Sequence, residues 1–437
     1  MSLDEPVPYM NRVPWFYLVA LDQYLRSVAF IPWLLYKQLL TVRNHGENAC
    51  EGNSMPPKAT MRLNTMRLLT AAISGLVCVF AHATESSPPL SPMQGAASAS
   101  RPSAAANDKV SAPYQLRIVG GLAGLNQYNR HEEPFWTQRL SQLSGGKYTA
   151  TIVPFDRAGV PGAEMFRLLQ LGVVPFGTAL LSSFTSQYPE FTAPDLAGLN
   201  PDIATLKTTL NAFRPHLEKT LREQYGIEAL AVYVYPAQVV FCKRPMTHLK
   251  DLAGRRVRVS SSTQADFVSA FGGVPVHVEF NKIVSNITSG NTECAITGTA
   301  SGNTLGLHKV TSHIHSLPIN WGLAVFGVHR PVWLQLPQDL RQLLQQELPK
   351  LEAAIWVESE RETAQGLACN RGDDSCTSGD KGNMVMVPVS AQDERQRREI
   401  LSTTVVPSWL KRCGARCADI WNQTIGPVRG IKAVPRP

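Results

Sequence analysis

The sequence predicts an α/β protein of two lobes, each a mostly parallel sheet flanked by helices, joined by long crossover strands and a long linking helix. Three observations predict it. Apolar runs of strand length alternate with helical spacing twice over, as β-α-β-α-β units. A long apolar strand stretch follows the first unit. A helix of many turns follows the second.

Residues 114–119 read as the first strand, with Gly120, Gly121 and Gly124 in the loop after it. The spacing of Phe135, Leu140 and Leu143 predicts a helix over 132–143, stopped by Gly145 and Gly146. Residues 148–155 form a second strand, 163–171 a helix with Met165, Leu168 and Leu169 on one face, and 173–181 a third, buried strand. Residues 206–225 read as helix and 229–241 as one long apolar strand. The second unit begins with a strand around Val257 and Val259, a helix over 266–271, and a strand over 274–280. It continues with a helix over 281–289 and a strand over 294–298. Extended chain over 313–328 leads back. Pro337 suits the first turn of a helix running towards Ala364, in which Pro349 predicts a kink or break. A short strand over 384–389 and helices over 393–401 and 406–425 close the chain.

The 437 residues suffice for more than one domain, and 44% hydrophobic and 17% charged residues are globular values. The net charge of +8 is spread out, without a basic run interleaved with aromatics, which leaves nucleic-acid binding unsupported. Arg62 and Arg67 precede an apolar core over 68–80, and Ala81-His82-Ala83 supplies small residues for cleavage. This predicts a cleaved export signal over 61–83. The core is too short to span a bilayer comfortably. Residues 1–60 then read as a misassigned N-terminal extension, the alternative being an added membrane anchor interrupted by Asp22, Arg26 and Pro32. Residues 84–113, rich in Ser, Pro and Ala, read as a disordered linker. Lobe I is expected over 114–240, with 330–437 returning to it, and lobe II over 241–329.

Export implies an oxidising compartment, here the periplasm. Cys369 and Cys376 bracket one polar loop, and Cys413 and Cys417 another, so disulfides are expected at both. A four-thiolate zinc site is the rival, but the spacings are not C-x-x-C knuckles. Cys242 and Cys294 read as small buried residues. His313 and His315 alternate as in a strand and lack an evident third metal ligand. No nucleophile elbow, P-loop or H-E-x-x-H is present, so no catalytic residue, metal or cofactor is assigned. Ser260, Ser261 and Ser262 read as turn and capping residues. The glycines after the first strand resemble a phosphate loop only loosely.

Arg258 is the candidate that stands out. It lies in a short β-branched run, where a bare cation is costly unless an anion meets it. An arginine near the carboxyl end of a strand in a β-α-β unit points into the crevice where such folds hold ligands. A solvated edge-strand arginine is the plain alternative. Position alone adds Asn126, Gln127 and Tyr128 after the first strand, and Asp156 and Arg157 after the second. It also adds Tyr235 before the crossover, Thr297, Gly298 and Thr299 at the end of a lobe II strand, and Trp321 on the returning chain. Tyr235 and Trp321 are equally explained as wall packing.

The segments DLAGRRVRVSS (251–261), PVHVEFNKIVSNITSGNTECAITG (275–298) and LPQDLRQLL (336–344) carry a resemblance. They resemble the second lobe of solute-binding proteins of TRAP (tripartite ATP-independent periplasmic) transporters, and the likeness extends weakly over 114–427. The resemblance implies a type II-like periplasmic binding protein fold and a non-enzymatic receptor that delivers a small carboxylate ligand to membrane subunits. Contact with the membrane would run through that transporter alone. The family's carboxylate-binding arginine falls on Arg258. Its later ligand-contacting asparagine falls on Thr297, and a second arginine used by sialic-acid binders falls near Gln238. The family's VDG is here Thr292-Glu293-Cys294, and these three departures leave the ligand unnamed. Rival readings are an exported sensory protein serving a receptor kinase and an exported enzyme on the same scaffold.

Overall fold

Strand β1 (Tyr114–Gly120) pairs in parallel with β2 (Tyr148–Pro154), register Tyr114 to Tyr148 through Gly120 to Pro154, in a computed structural model that describes residues 114–434. The expectations for residues 1–113 (extension, export signal, linker) lie outside the described residues. β3 (Phe176–Leu180) flanks β1 on its other side, also in parallel. The chain then passes through the helix Ile203–Tyr225. Asp202 caps its start by accepting from Thr205 N at 2.7 Å, and Gly226 ends it at φ 63°, where a side chain would be strained.

β4 (Ile227–Val234) belongs to this first sheet, and β5 (Gln238–Cys242) opens a second. The long strand expected over 229–241 is therefore two, separated by Tyr235-Pro236-Ala237. Pro236 cannot donate to a ladder, and the chain changes sheets there. β6 (Arg256–Val259), β7 (Val274–His277), β8 (Cys294–Gly298) and β9 (His313–His315) follow in the second sheet. β10 (Leu323–His329) returns to the first, and β11 (Val385–Val387) rejoins the second.

The sheet orders are β2-β1-β3-β10-β4 and β11-β9-β5-β8-β6-β7. Both sheets are mostly parallel but mixed, with β10 alone reversed in the first and β5 alone in the second, and the two crossings explain why. β4 carries the chain out and β10 carries it back, so the two run antiparallel, and β5 and β9 do likewise. The crossing falls at 235–237 rather than after 240. The chain is back in the first sheet by Leu323 rather than at 330, and β11 takes part of the expected lobe I return into the second sheet.

The long helix spans Gln338–Arg371, seven residues beyond the expected end, and runs through Pro349 without a break. Pro349 removes only its own donation to the Gln345 carbonyl, a loss that the packing of this helix offsets. It buries Leu340, Leu344, Leu348, Leu351, Ile355 and Trp356 against the first lobe. Near the crossing, Thr363 Oγ1 accepts from Ala237 N at 3.0 Å and Thr299 Oγ1 donates to the Thr363 carbonyl at 3.0 Å. The helix thus touches both sheets where the chain passes between them.

Cys369–Cys376 and Cys413–Cys417 are disulfides. Cys242 and Cys294 are fully buried, as expected for small core residues, but are bonded to each other. The antiparallel register of β5 and β8 sets them directly opposite, with Cα atoms 4.1 Å apart. Among the described residues no helix is long and apolar enough to cross a membrane.

Candidate functional site

The carboxyl ends of β1, β2 and β3 face β6 and β7 across a cavity of about 510 Å³, the size of a small-molecule site. The first lobe supplies Leu122 after β1, Phe155 and Asp156 after β2, and Leu180, Ser182 and Ser183 at the end of β3. The second supplies Arg258, Val259 and Ser260 at the end of β6, and residues 277–281 after β7. The Gly159–Ala163 turn forms part of the rim.

Arg258 is only 4% exposed, so it is not a solvated edge-strand arginine. β6 lies between β7 and β8, and the arginine pairs with Val276 on one side and Ala295 on the other. Its side chain uses that position. Nε donates to the Val278 carbonyl and Nη1 to the Ile296 carbonyl, each at 2.8 Å. These two bonds fix the plane of the guanidinium without neutralising it. Nη2 makes no hydrogen bond and no carboxylate pairs with Arg258 among the described residues. Burial lowers its pKa to about 10, which still leaves it charged at neutral pH. A desolvated, immobilised cation on a cavity wall, with no carboxylate partner among the described residues, can accept an anion.

Apart from Asp156, the other position-based candidates do not line this cavity. Helix begins at 126 rather than 132, so Asn126, Gln127 and Tyr128 are its first residues and not a ligand loop. Asn126 Nδ2 donates to Glu362 at 2.6 Å, Gln127 Nε2 to Glu132 at 2.9 Å, and Tyr128 OH to the Ile152 carbonyl at 3.3 Å. Arg157 is exposed, whereas its neighbour Asp156 reaches the cavity and accepts from Ala123 N at 3.0 Å. Thr297 is buried in β8 opposite Val239, Gly298 pairs with Gln238, and Thr299 is held by the long helix. Tyr235 is buried, and Trp321 Nε1 donates to the Asn200 carbonyl at 3.1 Å.

Gln238 belongs to a polar network behind the site. Gln264 Nε2 donates to Gln238 Oε1 and to Asn320 Oδ1, both at 2.8 Å, and Ser260 N donates to Gln264 Oε1 at 2.8 Å. Asn320 Nδ2 in turn donates to Asp195 at 3.1 Å. The same carboxylate accepts from Trp321 N at 3.0 Å and Gly322 N at 2.7 Å. Burial pushes Asp195 up to about 6 despite these donors. The network joins the returning strand to β5 and β6, and so fixes the lobe connection beside Arg258. His315 is fully buried and lies 3.5 Å from Asp393, and among the described residues no group of three or more metal-ligating side chains comes together.

Sequence reasoning passed over Ser182, Ser183, Ser260 and Glu279. The two serines follow a strand just as Asp156 does, so the strand-end rule that singled out Asp156 would have found them. From sequence Ser260 reads as a turn residue alone. It does bond within the turn, to Gln264, while also lining the cavity.

Residues 126–371, more than half of the chain, match the family described as bacterial extracellular solute-binding protein, family 7. The chain belongs to that family. This family 7 protein also resembles solved structures across its described part. An extracytoplasmic solute receptor of Bordetella pertussis that binds pyroglutamic acid aligns at 19% identity and TM-score 0.63, over 71% of this chain and 98% of its own. A TRAP periplasmic solute-binding protein of Desulfovibrio salexigens with bound orotic acid aligns at 16% and 0.63, over 71% and 96%. One from Sulfurospirillum deleyianum with bound succinate gives 19% and 0.60, over 71% and 98%. At these identities the likeness establishes the two-lobe fold, and the family match supplies the solute-binding role.

Proposed function

We propose that this family 7 protein is the periplasmic receptor of a TRAP transporter, exported by a cleaved signal and without catalytic activity. It captures a small organic acid between its lobes and hands it to the membrane subunits. Arg258 takes the ligand's carboxylate, and Ser182, Ser183 and Ser260 supply hydroxyls around it. The observation that carries this reading is a buried guanidinium held by two backbone carbonyls, with no carboxylate partner among the described residues. The relatives' ligands support it, since pyroglutamate, orotate and succinate all bear carboxylates. Closure of the lobes expels water and strengthens the ion pair relative to one at a surface.

The test is ligand-induced thermal stabilisation in wild type and Arg258→Ala. At a free ligand concentration of about 100 Kd the wild type gains about 2.7 kcal/mol, and the variant gains none. The ligand-free variant changes little. Two carbonyls lose a donor, at about 1–3 kcal/mol each, while an unpaired buried cation is relieved. A variant that keeps the full ligand-induced shift sinks the reading.

A further inference from the structure

The cavity carries one buried cation and two carboxylates. Arg258 lies on its lobe II wall, and Asp156 and Glu279 line it from the two lobes. Neither carboxylate pairs with a cation among the described residues. Asp156 has one backbone donor, Ala123 N, and the Glu279 side chain has no hydrogen-bond partner among the described residues. Leu122, Phe155, Val160, Leu180, Val278 and Phe280 give the wall most of its apolar area, with Ser182, Ser183, Ser260, His277 and Asn281 as its neutral polar part.

We propose, on the reading that Arg258 takes a carboxylate, that this site selects monocarboxylates with an apolar body and that Asp156 and Glu279 reject a second carboxylate. Arg258 can neutralise one anionic group. A second one would leave water for a space with mostly apolar walls, no lysine or second arginine among the described lining residues, and two like charges, which costs more than the lost hydration alone. Selectivity of this kind rests on a repulsive element as much as on the attractive one. The apolar wall then favours a branched or aromatic body over a polyhydroxylated one.

The test is calorimetric titration of the purified full chain with benzoate and 4-methyl-2-oxopentanoate against succinate and glutarate. Wild type, Arg258→Ala and the Asp156→Asn/Glu279→Gln double variant are compared. The wild type should bind the better monocarboxylate at least about tenfold more tightly than either dicarboxylate. The double variant should narrow that ratio by about tenfold through a gain in dicarboxylate affinity. A wild type that prefers a dicarboxylate, or a double variant with an unchanged ratio, overturns the filter. In those cases loss of all binding in Arg258→Ala leaves the carboxylate anchor standing. Equal binding in Arg258→Ala and wild type overturns the anchor and the filter together.

Discussion

Glu132 and Asp195 share with Arg258 the condition of a charge taken out of water without an opposite charge close by, and Glu362 is buried too, with Arg361 and Arg130 near it. Glu132 is fully buried and accepts only from neutral donors, Gly121 N at 3.0 Å, Gln127 Nε2 at 2.9 Å and Thr178 Oγ1 at 2.9 Å. Burial pushes Glu132 up to about 6, Asp195 to about 6 and Glu362 to about 7. Unfolding returns each to the ordinary carboxylate range near 4. Between those values the folded chain holds protons that the unfolded chain releases. The stability they contribute is therefore complete below about pH 4 and is lost as pH rises through 6 to 7. The apo melting temperature should rise by a few kelvin from pH 7.5 to pH 5.5. Glu132→Gln, which mimics the protonated acid, should flatten that rise. A melting temperature that falls over this interval, or an unchanged profile in Glu132→Gln, would show that these acids do not govern it. Arg258 was legible in the sequence because a cation among β-branched residues is conspicuous. These acids were not, because burial of a carboxylate depends on donors from Gly121, Thr178 and Trp321, far apart along the chain.

At the scale of elements, what decides the architecture is the pair of crossings. Strand and helix periodicity places most elements within a few residues, since local spacing sets which face is apolar. It does not reveal which strands of different units lie side by side. The antiparallel insertions of β10 and β5, and hence the mixed sheets, follow from the outward and returning passages between lobes. The Cys242–Cys294 disulfide was hidden for the same reason, because only the β5–β8 register brings the two together. The close pairs Cys369–Cys376 and Cys413–Cys417 could be read from spacing alone. Sequence separations of 52 and 4 give the buried and the C-terminal disulfides different weights. Loop-closure entropy assigns about 4 kcal/mol to the first and about 2 kcal/mol to the second. Replacing Cys242 and Cys294 by Ala should accordingly lower the urea midpoint clearly more than replacing Cys413 and Cys417. The reverse order would mean that native packing, rather than chain constraint, sets their contribution.

For the molecule as a whole, the fold gathers strand ends of both lobes around a cavity, and the family match gives the chain a solute-binding role. Asp156 and Arg258, both visible as strand-end residues, reach it. Tyr235 and Trp321, which follow the same positional logic, and Gln238, which the family resemblance singles out, serve the connection between the lobes instead. Sequence position brings a residue near a crevice, and only the internal hydrogen bonds decide whether its polar atoms remain free for a ligand. The central claim is that Arg258 holds the carboxylate of a captured organic acid. Native mass spectrometry of freshly purified wild type and Arg258→Ala, followed by identification of the small molecule released on denaturation, tests it most directly. An organic acid bound one per chain to the wild type and missing from Arg258→Ala is the predicted result. A ligand without an acidic group, or an acid retained equally by the variant, would contradict it.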